Sequence, residues 1–129
     1  MNDINLLAVL VAAISSFFLG GLWYSPVLFG KTWMAETGVK GDEQHPAKVF
    51  GTSFIFTLIS AFVFAQLLGS TPELMHSIEF GLYVGLGFVA TSLGINYQFS
   101  NKSFRLLLID AGYHIGQFVI YGAILGAWH

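Results

Sequence analysis

Four long apolar runs, separated by polar or broken connections, dominate the pattern of this chain; they cover residues 4–22, 49–68, 78–95 and 104–128. A helix needs roughly 20 apolar residues to cross the ~30 Å hydrocarbon core. The runs are continuous, without the alternation of barrel strands, and too long for them. The pattern therefore predicts an all-α fold, a bundle of four transmembrane helices forming one domain over residues 1–129. The connections differ in kind. Residues 23–47 form a long connection with Pro26, Gly38, Gly41 and Pro46. Residues 69–77 contain Gly-Ser-Thr-Pro-Glu, a turn that suits a helix start. Residues 96–103 are short and polar.

The first connection mixes Trp23, Tyr24 and Trp33 with Pro26 and Lys31. Such aromatic rings suit the headgroup region. The expected form is an interfacial amphipathic elbow: a break at Pro26, then a short helix lying on the membrane. A lid over a site opening to the cytoplasm is the alternative.

Composition strengthens the membrane reading. The chain is 55% hydrophobic and 9% charged, whereas a soluble domain carries about a quarter charged residues. A net charge of −2 gives no basic face for nucleic acid. The absence of cysteine excludes disulfides and thiolate chemistry. The first run has no Lys or Arg before it and ends in bulky Trp23-Tyr24, so it is read as a retained span and not a signal peptide.

All five basic residues lie on one side. Lys31, Lys40 and Lys48 flank the first connection, and Lys102 and Arg105 flank the third. The positive-inside rule then predicts both of these connections in the cytoplasm and both termini outside, consistent with a bacterial inner membrane. An echo links "LGGLWY" at the end of the first run to "LGINY" at the end of the third. It suggests two parallel hairpins arisen by duplication, although such short strings are common in membrane segments.

Candidate chemistry concentrates in the last run. At about 100° per residue, Asp110, His114, Gln117 and Tyr121 fall at about 0°, 40°, −20° and 20°, one narrow stripe. Gly112, Gly116, Gly122 and Gly126 fall at about 200°, 240°, 120° and 160°, on the opposite face. The stripe should face the bundle interior, because a charged Asp at mid-span costs about 2.5–3.5 kcal/mol on insertion scales. His114, at i+4, is its nearest expected partner. Lys31, Trp23 and Tyr24 are others at the cytoplasmic end. The glycine face has the Gly-x-x-x-Gly spacing that lets helix backbones approach. It is expected to pack a homodimer or heteromer, or else a neighbouring helix of the same chain. In the third run, Gly81, Gly85, Ser92 and Asn96 gather in one sector, and Ser53, Thr57 and Ser60 supply modest polarity in the second.

The segments "INLLAVLVAAISSFFLGGLWYSPVLFGKTWM" and "AGYHIGQFVIYGAILGAW" resemble the membrane family called domain of unknown function 1761. The matching positions are Gly20, Trp23, Tyr24, Ser25, Pro26, Phe29, Gly30 and Trp33, then Gly112, Tyr113 and His114. The resemblance implies a small four-span bacterial membrane protein and brings no activity.

The stripe has three readings: a polar cluster that fixes helix register, a path for a small solute or proton, or a site for an apolar ligand or its chemistry. Asp110 and His114 supply only two ligands, too few for a metal site, and a lone His114 is weak ground for a haem ligand. No cofactor is implied. No phosphate loop and no nucleophile–base–acid arrangement is visible, which argues against an enzyme. The expected function is transport of a small solute or proton through an Asp/His-lined bundle. A structural or partner-binding membrane subunit is the alternative, and a membrane enzyme or apolar-ligand binder the third.

Overall fold

The structure, a computed structural model, describes residues 4–39 and 46–129. Lys40, Gly41 and His45 lie outside the described residues. Among the described residues every regular element is helical. The elements are α1 (Leu6–Trp23), α2 (Gly30–Thr37), α3 (Pro46–Leu68), α4 (Leu74–Leu82), a π-helical segment (Tyr83–Ala90), α5 (Thr91–Phe99) and α6 (Phe104–Ala127). The α4, π and α5 segments run on as one span, Leu74–Phe99. With α1, α3 and α6 it makes four helices long and apolar enough to cross a membrane. The chain is an all-helical, membrane-type bundle. Large apolar side chains on its outside, Phe18, Phe56, Leu67 and Phe88 among them, are two-thirds exposed or more. Lipid is the solvent that suits them.

The starts of α1, α3 and α6 follow the capping rules. Asn5 accepts from the Ala8 amide at 3.1 Å and Ser103 from the Leu106 amide at 3.0 Å, each satisfying a first-turn N–H. Pro46 stands first in α3, where its missing N–H costs nothing. Gly38 ends α2 in the left-handed conformation, φ 74°.

The elbow is a tight fold-back. The Leu28 amide bonds the Ser25 carbonyl at 3.1 Å, so Pro26 holds the second position of a turn, where its fixed φ fits. The Phe29 amide reaches back to Trp23 O at 3.0 Å and the Gly30 amide to Ser25 O at 2.9 Å. A β-carbon on Gly30 would lie 2.3 Å from the Tyr24 carbonyl oxygen. That distance explains Trp-Tyr-Ser-Pro followed by Phe-Gly: the turn closes only over a bare α-carbon. α2 then leans on α6, where Ser103 Oγ donates to the Glu36 carboxylate.

α6 is the central helix. Its glycines face the chain's own helices, the second of the two arrangements expected above. A β-carbon on Gly112 would meet the Trp23 ring at 2.8 Å, and one on Gly116 the Leu19 side chain at 2.8 Å. On Gly122 it would lie 2.1 Å from the Ser77 carbonyl, and on Gly126 2.7 Å from Ser77 Cβ. The angular drift along the glycine face explains the division: its first half meets α1 and its second half meets α4. A homodimer or heteromer packed across that face finds it already covered by the chain's own helices. Gly81 and Gly85 answer from the third span, with β-carbon positions 2.2 Å from Phe118 O and 2.9 Å from Ile115 Cα. Near-contact of backbones maximises dispersion where no hydrophobic drive exists between helices in lipid.

The π segment changes what the third span presents. Gly81 and Gly85 face α6, but Ser92 and Asn96, expected in the same sector, are exposed. Wider i→i+5 turns lag behind α-helical phase, here by roughly 100–140° over eight residues. That lag carries Ser92 and Asn96 out of the sector and turns Tyr97 inward, where it is 8% exposed.

The apolar core lies in the half of the bundle near the termini. Ala8, Val9, Ala12 and Ala13 of α1 meet Ala61, Phe64 and Ala65 of α3 and Tyr121 and Leu125 of α6. In the other half α3 is exposed at most positions from Pro46 to Phe56 and first becomes buried at Thr57. Its inner contact there is aromatic, Phe50 and Phe54 edge-on to Phe17 of α1.

Candidate functional site

The stripe on α6 forms two polar sets. The first surrounds Asp110. Tyr24 Oη donates to its Oδ1 at 2.7 Å, and Tyr97 Oη donates to its Oδ2. Tyr24 arrives from the elbow and Tyr97 from the end of the third span. Trp23, next to Tyr24, donates its indole N–H to the Ile109 carbonyl at 2.8 Å and so pins the elbow to α6. Among the described residues no cation pairs with Asp110, neither Lys31 nor Arg105. Its carboxyl oxygens are met by the two phenol hydroxyls. The Tyr24 ring packs against Trp33 and Tyr113, with centroids 5.8 and 5.7 Å away. Burial, then the hydrogen bond to Asp110 and its charge, push the Tyr24 phenol above its ordinary range. It therefore stays protonated and remains a donor.

The second set lies deeper. His114 Nδ1 and Gln117 Oε1 are 2.7 Å apart, Gln117 Nε2 donates to Tyr121 Oη at 2.8 Å, and Tyr121 Oη donates to the Thr57 carbonyl at 3.2 Å. Ser60 Oγ lies 2.7 Å from the same phenol oxygen. The chain thus joins α6 to α3 near mid-bundle. Tyr113 Oη donates to the Ser16 carbonyl at 3.2 Å, tying α6 to α1. Among the described residues every buried side-chain nitrogen and oxygen has a partner.

The stripe is not uniformly buried. Gln117 is 5% exposed and Tyr121 fully buried, whereas Asp110 and His114 are half-buried. The buried end coincides with the point where α3 joins the core, and the half-buried end with the stretch of α3 that stands exposed. Burial along the stripe thus increases from the Asp110 end, which lies nearer the Lys/Arg-bearing connections, to the Tyr121 end, which lies nearer the termini.

Asp110, His114, Gln117, Tyr121, Trp23 and Tyr24 share this region. The expected bond between Asp110 and His114 is not formed. Both carboxylate oxygens are taken by phenols, and the imidazole turns to Gln117 on the next turn. Tyr97 and Tyr113 were not among the candidates. Tyr97 had a signal, the echo between "LGGLWY" and "LGINY": the tyrosines that close the two strings are the two donors to Asp110. Thr57 and Ser60 stood out only as modest polarity. Among the described residues no three His, Cys, Asp or Glu side chains gather as metal ligands.

One family model matches residues 7–126, that of a protein of unknown function, DUF1761. No curated protein and no solved structure matches.

Proposed function

Because the chain belongs to the DUF1761 family, whose description carries no activity, the reading rests on its own geometry, and we propose that it is a membrane transporter of protons or a small solute, with Asp110 as the group that loads and unloads. One observation carries this: the polar stripe is half-buried at Asp110 and His114 and sealed at Gln117 and Tyr121. A site that is less buried at one end and packed shut at the other suits the alternating access of a transporter. A carboxylate inside a span with no cationic partner marks an ion or proton site by default. Its two phenol donors can release it when a proton or cation takes their place, at the cost of two hydrogen bonds. The one-sided Lys and Arg support an orientation with the Asp110 end toward the cytoplasm and both termini outside, as in a bacterial inner membrane.

The test uses purified protein in sealed vesicles with an internal pH dye and an imposed membrane potential. Wild type should acidify or alkalinise the lumen well above empty vesicles. Asp110→Asn should fall to the empty-vesicle rate, while Phe88→Leu on the lipid face keeps the wild-type rate. Equal rates for wild type and Asp110→Asn would remove Asp110 from the role. A second reading, a structural or partner-binding subunit, draws on the complete internal pairing of the buried polar groups. Wild type no faster than empty vesicles, for protons and for a panel of small solutes, would favour it.

A further inference from the structure

On the outer side of the elbow, away from the polar stripe, a groove of about 530 Å³ runs between the elbow and α6. Its wall is apolar: Trp23, Phe29, Leu108 and Ile109. Its polar lining is Thr32 and Arg105. The Trp23 indole N–H is already committed to Ile109 O. Arg105 is exposed, and among the described residues no carboxylate pairs with it. Among the described acids, Glu36 is engaged by Ser103 and Asp110 by two tyrosines. A guanidinium left unpaired beside an apolar channel is complementary to a ligand that is anionic at one end and apolar along the rest.

The placement selects the ligand. Arg105 is the second residue of α6, so it stands at headgroup level. The groove follows α6 inward to Gly112, about 10 Å at 1.5 Å per residue, which reaches the acyl region. A soluble anion would leave that wall bare. We propose that the groove seats an anionic phospholipid, with one acyl chain along the Trp23–Ile109 wall and the phosphate held bidentately by Arg105. A zwitterionic lipid offers the same phosphate but brings its own cation beside the guanidinium. The seat therefore prefers the anionic headgroup.

Tryptophan quenching in bilayers tests this, because Trp23 lines the groove. The chain has three tryptophans, so a parent with Trp33→Phe and Trp128→Phe leaves Trp23 as the sole reporter. The probes are phosphatidylglycerol and phosphatidylcholine brominated on the acyl chain, each titrated into unbrominated phosphatidylcholine vesicles. The parent should bind the anionic probe about fivefold more tightly, the factor that one basic residue near the surface supplies. Arg105→Gln should bring the ratio to unity, and Lys48→Gln, at the start of α3, should leave it unchanged. Equal quenching by the two lipids in the parent overturns the proposal. So does a preference that survives Arg105→Gln, or one lost equally in Lys48→Gln, since either would trace it to the general surface charge.

Discussion

Asp110 can stay inside a span because two hydroxyls point at it, one per carboxylate oxygen. Side-chain hydrogen bonds in membrane proteins average under 1 kcal/mol, but those to a charged group are stronger. Tyr97→Phe should therefore lower stability by about 1–2 kcal/mol, read from reversible unfolding in mixed micelles. Tyr24 adds a dependence on pH. Its phenol is held above the ordinary range in the folded chain, so the folded state keeps a proton that the unfolded state releases. The stabilisation is whole below about pH 10 and is lost as the pH rises beyond it. Tyr24→Phe should be less stable at neutral pH yet show a shallower alkaline loss. An identical alkaline slope in both proteins would contradict this account.

Among the elements, the glycine contacts are the most exacting. The β-carbon of an alanine at Gly81 would overlap the Phe118 carbonyl at 2.2 Å, and no rotamer can relieve a β-carbon. Gly81→Ala should cost about 1–3 kcal/mol through separation of the third span from α6. Gly51→Ala, which meets nothing within 4 Å, should be neutral or stabilise by up to about 1 kcal/mol. The same unfolding assay reads both. The π segment makes a different prediction. A π turn accommodates roughly one extra residue in an α-helix, so removing Gly87 lets the segment close to α while Tyr97 keeps its phase toward Asp110. Deletion of Ile95, outside the segment, has no slack to absorb it and turns the preceding helix against its contacts. The Gly87 deletion should retain more folded protein than the Ile95 deletion, by size-exclusion profile and thermal midpoint.

At the scale of the molecule, α1 and the third span pack on α6, α3 packs mainly on α1, and the elbow is fastened to α6 through Trp23, Tyr24 and Glu36. The proposed orientation follows from the basic residues flanking the two connections at the elbow end. A reporter active only outside the cytoplasm should work when fused after His129, and one active only in the cytoplasm should not; the reverse pattern would overturn the orientation. Gly30→Ala should loosen the elbow from α6 at once. It should raise proteolysis within the first connection by more than a substitution at exposed Val27 does.

Spans, elbow and polar stripe were legible in the amino-acid order because each is a local property. The length of an apolar run, a proline in a turn and residues spaced three or four apart are all set within one segment. Partner choice was not legible. Whether Asp110 meets His114 or two tyrosines depends on where the elbow and the third span deliver their phenols, 86 and 13 residues away. The glycine face suits another copy or the chain's own helices equally until packing puts α6 in the centre, and there Trp23, Leu19 and Ser77 cover it. Tyr97 was hidden for a further reason: a fixed 100° step assumes an unbroken α-helix, and the π segment departs from it. Local periodicity thus decided which side of each helix is polar or small, and only the tertiary packing decided what that side touches.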